Sequence, residues 1–125
     1  MDKDFVPYEQ ALELKELGFD EPCVYYVDND NESYIYNFEI HPDEFIEWCG
    51  VNVIPTPTFS QAFKWFREKY QMVFCYEPNL KKDLTYIFFI YIEITGEKVF
   101  VVESKYDEEA ELACLNKLIE IVKNK

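Results

Sequence analysis

The chain has 125 residues, of which 49% are hydrophobic and 18% aromatic, so it carries enough apolar surface to fold as one domain over residues 1–125. This composition excludes an intrinsically disordered chain. Acidic residues (25) outnumber basic ones (12) and give a net charge of −13, which argues against direct nucleic-acid binding through a basic surface.

Capping residues and apolar spacing predict four helices, at about residues 7–17, 43–49, 59–70 and 107–123. Pro7 suits the first position of the first helix, and Gly18 followed by Phe19 predicts a Schellman ending. Asp107 caps the last helix. The third helix has an apolar stripe that must face a core, formed by Phe59, Ala62, Phe63, Phe66 and Tyr70.

The remaining segments predict antiparallel strands in a hairpin and a meander. The hairpin spans residues 23–40 around a polar loop, and the meander spans residues 72–103, with a tight turn that Gly96 permits. Two prolines in the sequence VNVIPTPT predict an extended linker. The predicted fold is α+β, with one antiparallel sheet of about five strands packed by the four helices.

No motif for catalysis or for cofactor binding is found. The four cysteines form no CxxC pair, which favours reduced, buried thiols over a zinc site or a disulfide framework. The only histidine, His41, lacks a neighbouring nucleophile and is typical of a helix entry. The acidic loop at residues 28–32 lacks the glycine and the distal glutamate of a calcium loop. We therefore expect no catalytic residue, no metal, no cofactor and no enzymatic activity.

No apolar run reaches the length of a membrane-spanning helix, since the longest candidate, Tyr86 to Ile92, is better interpreted as a strand. The first ten residues lack the basic and apolar regions of a signal peptide. These features favour a cytoplasmic protein that does not bind membranes.

Charge is concentrated in the first part of the chain. Residues 1–49 contain 14 acidic residues against Lys3 and Lys15, a net charge of −12, whereas residues 50–125 carry −1. Such asymmetry indicates either a surface for a basic partner or a means of staying soluble. The candidate partner surface comprises Asp28, Asp30, Glu32, Asp43, Glu44 and Glu47.

The segment KWFREKY suggests an alternative, a site for a small nucleotide-type ligand. An exposed indole beside cationic groups can stack on a base and hold a phosphate, and a second copy across a dimer axis could complete the site. The opposing interpretation is a boundary tryptophan packed under lysine stems. The candidate ligand contacts are Lys64, Trp65, Arg67 and Lys69.

Three stretches resemble a family of short hypothetical proteins encoded by phages and prophages of Bacteroidetes. They are FVPYEQALELKELGFDEPC, PTFSQAFKWFREKY and YDEEAELACLNKLIEIVKNK, about half of the chain. The resemblance implies a phage or prophage origin and action inside a bacterial host cell, and the family has no established activity or catalytic residues to transfer to this chain. Together with the acidic surface it suggests an accessory protein that binds a host or phage protein, although a virion component fits equally well.

Overall fold

The computed structural model describes residues 4–28, 32–49, 53–81, 85–105 and 107–124, except for the side chains of Asn37, Ile46, Trp48 and Cys49. The chain divides into two compact units, residues 1–58 and 59–125. The sequence-based prediction of one domain over residues 1–125 stays a prediction.

The described residues of the first unit form two helices and a three-stranded antiparallel sheet. Its elements are α1 (Tyr8–Glu16), β1 (Cys23–Asp28), β2 (Ser33–Ile40), α2 (Pro42–Cys49) and β3 (Val53–Pro55). The strand order is β2-β1-β3, so β1 is the central strand.

In the second unit the described part of the chain forms two helices and a three-stranded meander. Its elements are α3 (Phe59–Tyr70), β4 (Met72–Pro78), β5 (Tyr86–Ile92), β6 (Lys98–Ser104) and α4 (Asp107–Lys123). The strand order is β4-β5-β6, with every neighbouring pair antiparallel.

The predicted α+β class is confirmed, but the prediction of a single sheet of about five strands is wrong. The segment interpreted as a linker forms β3, in which Ile54 and Pro55 pair with Val27 and Tyr26 of β1. The hairpin thus completes a sheet of its own, and no strand of it pairs with the meander within the described residues. Proline is tolerated in β3 because the strand lies at the edge of its sheet.

The helix boundaries follow the local signals closely. Beyond the end of α1, Gly18 adopts a φ of 101°, Gly18 N–H donates to the Lys15 carbonyl, and Phe19 N–H donates to the Leu14 carbonyl. These two bonds are the predicted Schellman motif. Phe19 and Leu14 are both buried, as a hydrophobic contact across such an ending requires.

Each unit has an aromatic centre. In the first unit the ring of Phe45 on α2 is fully buried, stacks on Tyr26 at 4.4 Å and meets the edge of Tyr34 at 5.5 Å. In the second unit Phe63 of α3 stacks on Phe74 of β4 at 4.1 Å. These contacts fix α2 and α3 against their own sheets, and both helices carry candidate site residues.

Candidate functional site

The boundary between the two units coincides with the change in charge. Residues 50–58 contain no charged side chain, so the first unit carries the full −12 and the second carries −1. Lys15, the single basic residue of the first unit within the described ranges, donates through Nζ to the Val53 carbonyl at 3.3 Å. The excess negative charge is therefore a property of one folded unit.

Three of the predicted partner-surface residues lie on α2. Phe45 anchors this helix in the core, and Asp43 and Glu47 each lie about 200° around the helix from it, pointing away from the sheet. All of Asp43, Glu44 and Glu47 are exposed. Because Asp43 and Glu47 are four residues apart, their like charges are neighbours, a destabilising arrangement in the isolated helix that a cationic partner would relieve.

The other three residues of the predicted partner surface differ in whether the structure describes them and in whether they are exposed. Glu32 is exposed beside β2, and Asp30 lies outside the described residues. Asp28 is only 5% exposed, which contradicts its assignment to the surface. Its carboxylate accepts hydrogen bonds from Glu32 N–H and from the Tyr34 hydroxyl, both at 3.0 Å, so it holds the two strands together at the base of the loop.

Apolar side chains are exposed on β2, in the same unit as the acidic surface. Ile35 is 47% exposed and Phe38 is 54% exposed. Between Tyr25 and Cys23 the pairing of β1 with β2 is irregular, because one residue of β1 lies opposite four residues of β2. Phe38 is exposed although Ile40, two residues further along β2, is buried, so the side chains of this strand do not alternate regularly between a buried and an exposed face.

The cationic candidates of α3 are brought together only in part. Lys64 and Arg67 line an open cleft of about 470 Å³ in the second unit. Lys64 also pairs with Glu68 at 3.8 Å, whereas the Arg67 guanidinium has no hydrogen-bond or ion-pair partner within the described residues. The other residues of the cleft are Ser60, Phe63, Val73, Phe74, Tyr76 and Glu111.

Trp65 and Lys69 do not line this cleft. Trp65 is only 6% exposed, because it lies about 60° around the helix from Ala62 and widens the buried stripe on that side. The ring meets Tyr70 edge-on at 5.6 Å, and Lys69 Nζ lies 5.1 Å from the ring centre. The boundary tryptophan packed under a lysine stem is thus the correct interpretation, and Trp65 has no exposed face on which a base could stack.

His41 and the buried thiols Cys23 and Cys114 are in structural positions, whereas the Cys75 thiol is half-exposed. His41 precedes α2, where its Nδ1 accepts the Asp43 N–H at 3.2 Å and so satisfies a free donor of the first turn, as expected for a helix-entry histidine. Burial, with Glu39 and Glu21 nearby, raises the pKa of the Cys23 thiol to about 12. Burial, with Glu111 nearby, likewise raises the pKa of Cys114 to about 12. Neither thiol is a thiolate near neutral pH.

Tyr76 is the residue that sequence reasoning missed. It is 60% exposed on β4, beside the cleft, and its ring meets Tyr86 and Phe88 at 6.0 and 5.5 Å. The alternation of β4 assigns Tyr76 to the same face as the stacked Phe74, but the sequence gives no sign that the helices leave that end of the face uncovered.

Comparison of the chain with protein-family models, with curated proteins and with solved structures finds no match. Among the described residues, no helix combines the length and the apolar character needed to cross a bilayer. The same residues contain no cluster of three or more histidine, cysteine or acidic side chains that could hold a metal ion.

Proposed function

We propose that the chain is a non-enzymatic accessory protein, of phage or prophage origin, that binds a basic surface of a host or phage protein through the acidic first unit. The observation that carries this proposal is the placement of a net charge of −12 in one folded unit. Its carboxylates on α2 are exposed, and their helix is held rigidly by the stacked Phe45.

The chemistry of the surface suits a protein partner. Acidic side chains increase the rate of association with a basic surface and make it sensitive to salt. Exposed Phe38 and Ile35 offer apolar anchors of the kind that supply most of the affinity in protein interfaces. Action inside the bacterial cytoplasm is part of the same proposal.

The alternative of a nucleotide-type ligand loses its main support. Stacking of a base was assigned to Trp65, which is buried, and Lys69 lies over that ring and away from the cleft.

The test combines affinity capture from a host lysate with a charge-reversed variant. The tagged protein retains its partner at low salt and releases it at high salt, because screening weakens attraction between exposed charges. The reversed variant carries four substitutions: Glu32→Lys, Asp43→Lys, Glu44→Lys and Glu47→Lys. Asp28 is left unchanged because it is buried.

A matched control separates the acidic surface from net charge. It carries the same number of reversals at exposed carboxylates of the second unit: Glu93→Lys, Glu97→Lys, Glu103→Lys and Glu109→Lys. We expect the first variant to lose the partner and the control to retain it. Equal retention by both variants would refute the acidic-surface proposal.

A further inference from the structure

The outer edge of β4 is open. β4 is the first strand of the order β4-β5-β6, and within the described residues no further strand pairs with it. An edge strand presents unpaired backbone donors and acceptors to any extended segment that reaches it.

The hydrogen bonds at the two ends of β4 show which backbone groups face outward. Glu93 N–H donates to the Gln71 carbonyl and Asn79 N–H donates to the Thr85 carbonyl, at 2.9 and 3.1 Å. In an antiparallel ladder, bonding to one neighbour alternates from residue to residue. Odd-numbered residues of β4 therefore bond to β5, and the N–H and C=O groups of Phe74 and Tyr76 point away from the sheet.

The cleft lies along this same edge. Val73 and Phe74 are consecutive residues whose side chains point to opposite faces of the strand, yet both line the cleft, so it borders the backbone between them. Phe63, Phe74 and Tyr76 supply aromatic surface there.

The basic side chains on the α3 side of the cleft favour a ligand that carries a carboxylate. Arg67 is exposed and without a partner in the described part of the chain, and Lys64 lies one turn before it on α3. A guanidinium binds a carboxylate through two parallel hydrogen bonds. Half-buried Glu111 lines the cleft as well and already has an interaction of its own. A carboxylate of a ligand would therefore bind at Arg67 on α3, away from the negative charge of Glu111.

We propose that the edge of β4 binds an extended acidic peptide segment of another protein as an added strand. The backbone of the segment bonds to Phe74 and Tyr76, one apolar side chain enters the cleft, and an acidic side chain two residues away reaches Arg67. Alternate side chains of a strand share a face, so the recognised pattern is an acidic and an apolar residue separated by one residue, in the order that the direction of the added strand sets. This proposal concerns the second unit and the opposite charge, so its failure leaves the acidic-surface proposal untouched.

The probe is a rhodamine-labelled heptapeptide with the sequence Thr-Glu-Thr-Phe-Thr-Glu-Thr, and fluorescence anisotropy measures its Kd on the full chain. Two further peptides carry N-methyl groups, one at the three residues Glu, Phe and Glu, the other at three of the threonines. Only alternate residues of an added strand donate to its neighbour. We expect one methylated peptide to lose binding and the other to keep it, and the active one reports whether the added strand is antiparallel or parallel.

Protein variants test the charge and the edge. Arg67→Glu should weaken binding at least tenfold, whereas Lys105→Glu, the same charge change beyond β6 on the far side of the sheet, should change it less than twofold. Tyr76→Pro removes an outward N–H without removing a bond to β5. It should weaken binding at least tenfold more than Tyr76→Val, which loses the same aromatic ring but keeps the N–H.

Three results would overturn the proposal. The first is no binding of the unmodified peptide, and the second is an equal response to the two methylation patterns. The third is a dimer of the chain, measured by analytical ultracentrifugation, that Tyr76→Pro dissociates while the peptide does not bind. That result would assign the edge to a second copy.

Discussion

Replacing Asp28 tests whether this carboxylate stabilises the hairpin or belongs to the partner surface. Its two oxygens accept separate hydrogen bonds, Oδ1 from Glu32 N–H and Oδ2 from the Tyr34 hydroxyl. Asp28→Ala removes both acceptors in a position that is 5% exposed. We therefore expect a loss of stability with no direct effect on a partner.

The magnitude follows from the two bonds. A hydrogen bond to a charged group contributes about 1.5–3 kcal/mol. Glu32 is exposed and Tyr34 is half-buried, so water reaches both freed donors and the lower end of that range applies. Asp28→Ala should lower the free energy of unfolding by about 2–3 kcal/mol, or lower Tm by roughly 10 °C for a chain of this size. Asp28→Asn keeps one acceptor oxygen and should lose about half as much.

Urea denaturation followed by circular dichroism measures these losses. A double-mutant cycle of Asp28→Asn with Tyr34→Phe should give a coupling of about 1 kcal/mol, because the two side chains share one hydrogen bond. Glu32→Ala is the matched control, since only the backbone of Glu32 takes part. A loss below about 0.5 kcal/mol for Asp28→Ala, or a cycle without coupling, would refute the structural role of this residue.

Two further predictions concern a turn and the buried thiols. Gly96 has a φ of 72° and open space where a Cβ would lie, so Gly96→Ala should cost about 1 kcal/mol in urea unfolding from backbone strain alone, and Gly96→Asn should cost less. Equal costs would contradict that cause. The pKa values of Cys23 and Cys114 are raised from 9.0 to about 12, so the folded state holds these protons more tightly than the unfolded state does. The stability they contribute is complete below pH 9 and declines as pH rises from 9 towards 12, by up to about 1.4 kcal/mol per pH unit for each thiol. Urea denaturation between pH 9 and 12 should show that the free energy of unfolding falls less steeply with pH in the variant with Cys23→Ala and Cys114→Ala. An unchanged slope would contradict the raised pKa values of the two thiols.

Local signals in the sequence were sufficient to locate the helices. The helices α3 and α4 occupy residues 59–70 and 107–123, as the capping residues and apolar spacing predict. The end of α1 follows from Gly18, since capping depends on residues within one turn. Pro7, predicted at the first helical position, lies one residue before it, at the N-cap.

The features that the sequence did not predict depend on contacts between residues that are distant in the chain. Val53–Pro55 becomes a strand only because β1 offers an open side, and no neighbouring residue signals this. Asp28 was predicted to be exposed because it lies in an acidic loop, and only the folded hairpin places the Tyr34 hydroxyl within hydrogen-bond distance of its carboxylate. The burial of Trp65 depends on the width of the surface that α3 covers, which the sequence of this helix alone does not show. The β4 edge was missed because it is defined by the absence of a neighbouring strand.

The connection between α3 and β4 bears on how the cleft would bind. A single residue, Gln71, joins the two elements in a left-handed conformation with a φ of 56°. Its N–H donates to the Arg67 carbonyl and its carbonyl accepts Glu93 N–H, so both sides of the joint are tied. Such a short joint leaves the helix little freedom to swing from the strand. The cleft is therefore preorganised, and a ligand entering it would lose its own conformational entropy while the protein would lose little.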